Sequence, residues 1–152
     1  MSITQSILVA TDFSPASLVG IRKAAELARE VGAKVTVCHV LDPSPLAPIA
    51  ADREELRNAA TKEGNLEKAV HAELDKILRE HFADVSVTKT ALIVSASAAD
   101  GICRYAAKED TDLIVVSTHG RTGLAHLLIG SVAERVVRHA SCPVLTVRVA
   151  VE

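Results

Sequence analysis

Aromatic side chains are almost missing from this sequence. Phe13, Phe82 and Tyr105 make up 2% of its 152 residues, and there is no Trp. Because proteins that bind single-stranded nucleic acid stack its bases on aromatic side chains, this scarcity argues against such a surface. A net charge of −2, from 17 Lys and Arg against 19 Asp and Glu, suits neither nucleic acid nor an anionic membrane. We therefore expect no nucleic acid and no membrane among the partners.

Paired cysteines and long apolar runs are missing as well. Cys38, Cys103 and Cys142 are odd in number and far apart, and none forms a C-x-x-C pair. This pattern favours buried free thiols over a disulfide framework or a zinc site. No apolar run approaches the roughly 20 residues of a membrane-spanning helix, and residues 1–5 do not begin like a signal peptide. The sequence predicts a cytoplasmic protein.

The apolar residues that are present, 49% of the chain, fall into short runs typical of buried strands. The runs at residues 6–11, 34–40, 84–94, 111–116 and 143–148 predict five strands. A chain of this length suits a single domain, which we place over residues 1–152. The Pro-containing residues 41–51 are predicted to be a loop.

Amphipathic stretches separate the predicted strands. The first helix is predicted to begin after an N-cap at Ser14, to start with Pro15 and to end before Gly32, with Val31 on its buried face. Further helices are predicted over residues 52–81, from an N-cap at Ser97, and over residues 132–140. Alternating strands and helices predict an α/β fold with a parallel sheet and helices on both faces.

In such a sheet, ligands bind beyond the carboxyl ends of the strands, where the strand order reverses. Residues 117–131 follow the fourth strand and lead into the last helix, so they bring glycines and a helix N-terminus to that edge. Arg121 adds positive charge, and Ser131 is placed to cap the helix. These features suit a phosphate, although neither G-x-x-x-x-G-K-[ST] nor G-x-G-x-x-G is present.

Gly120, nine further residues and Gly130-Ser131 resemble the nucleotide-binding signature of the universal stress protein family. That signature opens with one more glycine, at the position of Ser117. Other stretches that look like this family are residues 7–14 (ILVATDFS), 37–40 (VCHV), 112–116 (DLIVV), 130–134 (GSVAE) and 142–145 (CPVL). They run over the whole chain in the order of the family.

The resemblance implies the adenine nucleotide alpha hydrolase-like fold, an open five-stranded parallel sheet of order 3-2-1-4-5. It also implies a homodimer paired through the last strand, residues 143–148, and, in one subgroup, bound ATP. Asp12 would approach the ribose or phosphates and a Mg²⁺ ion, and Val40 would contact the adenine. The residues that the resemblance assigns to the nucleotide are Ala10, Asp12, Val40, Val116, Ser117, His119, Gly120, Arg121, Gly130, Ser131, Val132 and Ala133.

Ser117 decides how far the resemblance extends to ATP. If its backbone had to adopt a positive φ, a Cβ would cost roughly 1–2 kcal/mol, on the order of tenfold in affinity. If not, its hydroxyl is available to donate to a phosphate. The departure leaves open a second interpretation, a dimeric stress protein that binds no nucleotide and acts through protein contacts.

The third interpretation is that the protein is an enzyme, and the sequence gives this interpretation little support. No Ser-His-Asp or Cys-His signature is present, and the S-G-G-x-D-S loop of related pyrophosphatases is absent. Only Asp12 and His119 are candidates to orient a water on the γ-phosphate. We expect slow ATP hydrolysis at most, and no catalytic residue is assigned.

Each candidate residue also has a purely structural interpretation. Asp12 is placed to cap the first helix, and Gly120 and Arg121 suit a turn and a solvated charge. His119 and His126 are expected to be exposed in the loop. His39 is expected to be packed rather than catalytic, and Cys142 is expected to be a structural thiol.

Overall fold

Strands and helices alternate along the chain as predicted. The computed structural model describes residues 4–43, 66–86, 88–119 and 129–149. Within these ranges no helix is long and apolar enough to cross a membrane. The elements in chain order are β1 (Ser6–Ala10), α1 (Pro15–Val31), β2 (Lys34–Leu41), α2 (Leu66–His81), β3 (Thr88–Val94), α3 (Ala98–Lys108), β4 (Leu113–Ser117), α4 (Ser131–His139) and β5 (Val144–Val147).

The five strands form one parallel sheet in the order β3-β2-β1-β4-β5. This is the predicted order, and it confirms the α/β fold class. β1 lies at the centre, where Leu8 and Val9 are fully buried, because α1 and α2 cover one face of the sheet and α3 and α4 the other. Adjacent strand residues point to opposite faces, so Val9 packs with the first pair of helices and Leu8 with the second.

The ends of α1 follow the local sequence closely. The Ser14 hydroxyl accepts a hydrogen bond from the N–H of Ser17, Pro15 is the first helical residue, and Gly32 ends the helix with φ 71°. All three predictions are confirmed. Val31, however, is 47% exposed, so its predicted burial is wrong. It is the last residue of the helix, where no following turn covers it.

β3 is shorter than predicted at its amino end. A turn closed by the Val85 N–H to the Phe82 carbonyl, at 3.0 Å, precedes it. Phe82 is buried, and the Arg29 side chain holds Asp84 at 2.7 Å, so these residues belong to the connection rather than to the sheet. The predicted helical residues 52–65 and the predicted loop residues 44–51 lie outside the described residues.

Hydrogen bonds to the start of β1 determine where β4 begins. The Asp112 carboxylate accepts hydrogen bonds from the N–H groups of Gln5 and Ser6 at 2.9 and 3.0 Å. Asp112 therefore aligns the amino ends of the two central strands, and β4 begins at Leu113, two residues later than the apolar run predicted. This alignment also sets where the two strands end at the opposite edge.

Candidate functional site

The carboxyl ends of β1 and β4 are neighbours at the point where the strand order reverses. The chain leaves β1 across one face to β2, and it enters β4 from β3 across the other face. A crevice between strands is expected at this reversal. Most of the residues predicted from the sequence lie at this edge. Ala10 and Asp12 lie at the end of β1, Val40 lies in β2, and Val116, Ser117 and His119 lie at the end of β4. The start of α4 contributes Gly130, Ser131, Val132 and Ala133. Gly120 and Arg121 lie outside the described residues.

The turn after β1 is held by several hydrogen bonds. The Thr11 N–H donates to the Cys38 carbonyl of β2 at 2.9 Å, and the Thr11 hydroxyl lies 2.8 Å from that of Ser17. The Phe13 N–H donates to the Thr11 hydroxyl oxygen at 2.9 Å, and Phe13 has φ 65°. A non-glycine residue seldom adopts such a φ, and no feature of the sequence predicted it.

Asp12 lies inside this turn. Its Oδ1 atom accepts the N–H of Ser14 at 2.9 Å. Asp12 therefore stabilises the turn that leads into α1, whereas the cap of that helix, considered for Asp12, is Ser14. Its assignment to ribose, phosphate or Mg²⁺ stays a prediction. Within the described ranges, no group of three or more His, Cys, Asp or Glu residues is placed to hold a metal ion.

His39 is packed, as predicted. It is 8% exposed, its Nδ1 atom lies 2.8 Å from the Thr11 carbonyl oxygen, and its ring centroid lies 4.6 Å from that of Phe13. The contact of His39 with the turn after β1 was not predicted from the sequence. The signal that was available is the neighbouring position of β1 and β2 in the predicted order, which puts their carboxyl ends side by side.

Ser117 is the last residue of β4, and its φ is not positive. The glycine of the family signature is therefore not needed here for backbone conformation. The Ser117 hydroxyl oxygen accepts the N–H of Gly20 at 3.1 Å, so the side chain faces α1. Because the hydroxyl only accepts in this contact, its proton is still available, and its donation to a phosphate stays a prediction.

Gly130 brings α4 onto the end of β4. It is the N-cap of α4, and its N–H donates to the carbonyl of Thr118. A Cβ at this position would lie 2.6 Å from that carbonyl oxygen, so only glycine fits the contact. The prediction that Ser131 caps the helix is wrong, because the close approach puts Gly130 at the cap and Ser131 becomes the first helical residue.

His119 is 9% exposed, so the expectation of an exposed loop histidine is wrong for it. Its Nδ1 atom lies 3.0 Å from the Thr118 hydroxyl. Thr118 is still attached to the sheet, since its N–H donates to the Val147 carbonyl at 2.9 Å and its hydroxyl oxygen accepts the N–H of Val149. The chain thus leaves the sheet later than the pattern suggested. His126 lies outside the described residues.

Around the start of α4 the predicted residues differ in burial. Ala133 is 3% exposed and packs into the core beneath the helix, whereas Val132 is 41% exposed. Val40 is partly buried against α3, where a Cβ on Gly101 would lie 3.4 Å from its Cγ1 atom. The helix N-terminus adds the positive end of its dipole to this edge.

The three cysteines behave as structural thiols. Cys38 is fully buried, and this burial raises the pKa of its thiol to about 12. Cys103 and Cys142 are partly buried, and burial is also the main cause that raises the pKa of each thiol. A raised pKa keeps the thiol protonated and unreactive, in agreement with the structural role predicted for Cys142.

Comparison with known sequences gives one consistent result. The model of the universal stress protein family matches residues 4–148. The chain is 34% identical over 148 residues to universal stress protein MJ0531 of Methanocaldococcus jannaschii, covering 97% of this chain and 84% of the relative. It is 37% identical over 142 residues to universal stress protein A homolog 1 of Coxiella burnetii, covering 93% and 94%.

Solved structures agree with the sequences. Protein MJ0577, also of M. jannaschii, has a TM-score of 0.79 at 26% identity, with 99% of each chain covered. A universal stress protein in complex with cAMP has a TM-score of 0.69 at 26% identity, covering 96% of this chain and 98% of the other. One from Archaeoglobus fulgidus in complex with dAMP has a TM-score of 0.59 at 27% identity, covering 95% and 98%.

Proposed function

Because this chain belongs to the universal stress protein family, we propose that it is a single-domain, ATP-binding regulatory protein. The nucleotide would lie in the crevice between the carboxyl ends of β1 and β4. The observation that carries this proposal is the contact of Gly130 with the Thr118 carbonyl, which holds the N-terminus of α4 directly over the end of β4. Helix N-termini held in this way bind phosphates through their backbone N–H groups.

Two related proteins support an adenine nucleotide. The family members with bound cAMP and dAMP share the fold of this chain over almost its whole length. Both ligands contain adenine and one phosphate group, so they support the adenosine end of the proposed site. The extension from a monophosphate to ATP rests on residues 117–131, where Gly120 and Arg121 would add N–H groups and positive charge around the further phosphates.

We propose a Mg²⁺ ion because the Asp12 carboxylate and the triphosphate are both negatively charged. Asp12 stands at the same edge as the proposed phosphate site, and a carboxylate beside a triphosphate is repulsive unless a cation lies between them. Mg²⁺ in proteins is commonly held by one or two carboxylates together with phosphate oxygens. Asp12 fits that role because its carboxylate is already oriented through the Ser14 N–H.

Calorimetric titration of the purified, nucleotide-stripped protein tests the proposal. We expect micromolar affinity for ATP, stronger with Mg²⁺ than without it, and weaker binding of GTP. Equal affinities for AMP and ATP would mean that residues 117–131 do not hold the outer phosphates. No heat and no thermal shift with any adenine nucleotide would overturn the proposal and favour the stress protein that acts through protein contacts.

Regulation rather than catalysis is proposed for the bound nucleotide. His119, one of the two residues considered for orienting a water, is buried with its Nδ1 atom 3.0 Å from the Thr118 hydroxyl. Asp12, the other, has Oδ1 engaged by Ser14. We expect ATP turnover well below about 1 s⁻¹, the low end for ordinary enzymes. Turnover above that rate would show that the protein is an ATPase.

A homodimer is proposed through the last strand, residues 143–148. β5 is at the edge of the sheet, and all four of its residues are partly exposed. An edge strand with unblocked N–H and C=O groups pairs readily with another strand. Pairing of β5 with its copy in a second chain would satisfy these groups.

A further inference from the structure

His39 is a buried histidine at the site that the proposed function leaves without a role. It lies in β2, and its imidazole contacts the residues on both sides of Asp12. Nδ1 lies 2.8 Å from the Thr11 carbonyl oxygen, and the ring packs at 4.6 Å against the ring of Phe13, at an interplanar angle of 32°. We propose that His39 is a positioning residue of the nucleotide site, which fixes the turn so that Asp12 faces the Mg²⁺ and phosphates. This inference rests on the proposed function.

The contact between His39 Nδ1 and the Thr11 carbonyl determines which ring nitrogen of His39 carries a hydrogen. A carbonyl oxygen can only accept a hydrogen bond, so Nδ1 must be the donor and must carry a hydrogen. Thr11 is 5% exposed, which leaves its carbonyl little access to water if His39 is removed. A buried carbonyl without a donor is unfavourable, and the turn would rearrange to satisfy it.

The turn depends on these contacts for its shape. The Thr11 N–H is already bound to the Cys38 carbonyl, so β2 holds both the N–H and the carbonyl of Thr11. Phe13 has φ 65°, a conformation that surrounding structure must stabilise in a residue other than glycine. The His39 ring packed against Phe13 supplies part of that stabilisation. Asp12, between Thr11 and Phe13, is positioned from both sides.

Loss of these contacts would lower the fraction of molecules with the turn in its binding conformation. The apparent affinity for a ligand that needs this conformation falls by the same fraction. Since Asp12 is proposed to act through Mg²⁺, the loss should appear mainly in the part of the ATP affinity that depends on Mg²⁺. A residue that only stabilised the fold would not show this dependence.

Three variants of the full chain test the inference by calorimetry. His39→Leu keeps an apolar side chain but removes the donor and the ring, and we expect Mg²⁺–ATP affinity to fall on the order of tenfold, with a smaller loss without Mg²⁺. His39→Asn places an amide N–H near the position of Nδ1 and should restore most of the affinity. Val35→Ala is the control, because Val35 is 1% exposed on the same face of β2 near its other end. It should lower stability and leave ATP affinity unchanged.

Unchanged Mg²⁺–ATP affinity in His39→Leu would overturn the inference, and so would an equal loss in Val35→Ala. NMR tests the role of His39 independently of ATP binding, so failure of this inference can be told from failure of the proposed function. Long-range ¹H–¹⁵N spectra should show Nδ1 of His39 protonated in the wild type, and hydrogen exchange at the Phe13 and Ser14 amides should be faster in His39→Leu. If the wild type binds no ATP, the proposed function fails; unchanged exchange at these amides would mean that His39 does not position the turn.

Discussion

The hydroxyl oxygen of Ser117 accepts a hydrogen bond from the backbone N–H of Gly20 at 3.1 Å, which ties the end of β4 to the middle of α1. The two residues fit each other closely. A Cβ on Gly20 would lie 2.8 Å from the Ser117 hydroxyl oxygen, closer than carbon and oxygen atoms pack. Where the family signature has glycine at position 117, this chain has serine, and it has glycine at the facing position of α1.

Gly20→Ala should therefore destabilise the wild type, although alanine normally stabilises a helix interior by about 1 kcal/mol relative to glycine. The clash with the Ser117 hydroxyl is expected to cost about 1–3 kcal/mol, as overpacking does elsewhere. In a Ser117→Gly background the nearest atom to the new Cβ becomes the backbone N of residue 117 at 3.5 Å, so the same change should stabilise. Urea denaturation of the four proteins measures this coupling. Equal effects in both backgrounds would contradict the pairing.

Gly130→Ala should weaken ATP binding on the order of tenfold or more. Its Cβ would meet the Thr118 carbonyl oxygen at 2.6 Å, and both are backbone-linked groups that cannot move aside as a side chain can. The N-terminus of α4 must then shift, at a cost of about 1–3 kcal/mol.

Gly32→Ala is the control for this change. Gly32 has φ 71° at the far end of α1, so alanine there should cost about 1 kcal/mol of stability without touching the crevice. Calorimetry should show reduced ATP affinity for Gly130→Ala alone. Wild-type affinity in that variant would mean that the start of α4 does not hold the phosphates.

Asp112 should make stability depend on acid pH. Hydrogen bonds from the N–H groups of Gln5 and Ser6 lower the pKa of this carboxyl below its ordinary value of 3.8. A lowered pKa in the folded state adds stability above the pKa of the unfolded chain, and this contribution is lost as the pH falls through the folded-state pKa. Asp112→Asn should therefore be less stable than the wild type at pH 7, and the difference should shrink below about pH 4.

Urea denaturation between pH 7 and pH 2 checks this, with Asp75→Asn, on the exposed side of α2, as the control for the loss of one negative charge. Part of the pH dependence will remain in the variant. Asp84 titrates in the same acid range, because its hydrogen bond from Arg29 lowers the pKa of that carboxyl too. A stability difference between wild type and Asp112→Asn that stays constant with pH would contradict the role of Asp112.

Thr146→Pro should convert the proposed dimer to a monomer. The carbonyls of Pro143 and Val147 accept hydrogen bonds from the N–H groups of Ile114 in β4 and of Thr118 just after it. Since strand residues alternate, the N–H of Thr146 points to the outer edge, away from β4. Proline removes this donor without breaking a bond inside the sheet.

Thr146→Val keeps the N–H and serves as the control. Sedimentation velocity at micromolar concentration should give a dimer for the wild type and Thr146→Val and a monomer for Thr146→Pro, with the same circular dichroism for all three. A dimeric Thr146→Pro would mean that the two chains associate through a different surface.

Sequence patterns predicted the fold because its signals are local. Ser14, Pro15 and Gly32 define α1 by cap chemistry that needs no information from the rest of the chain, and apolar runs mark the strands. The strand order came from the family resemblance, and its confirmation brought those predicted residues that the structure describes to one edge of the sheet.

What the sequence did not predict depends on contacts between distant residues. Glycine at position 130 is required by the carbonyl of Thr118, and the orientation of Ser117 by Gly20. His119 stays buried because Thr118 remains attached to β5. Each of these features depends on a contact between two elements, so the sequence pattern of one segment cannot predict it.

The central position of β1 has a consequence for the order of events during synthesis. β2 and α1 leave the ribosome soon after β1, but the other neighbour of β1 is β4, and the Asp112 carboxylate that aligns the two strands is 106 positions from Ser6. Until β4 has emerged, one edge of this central strand is open to other nascent chains or to chaperones. The nascent chain therefore passes most of its synthesis without the crevice between β1 and β4, and the proposed nucleotide could stabilise the chain only after β4 has joined the sheet.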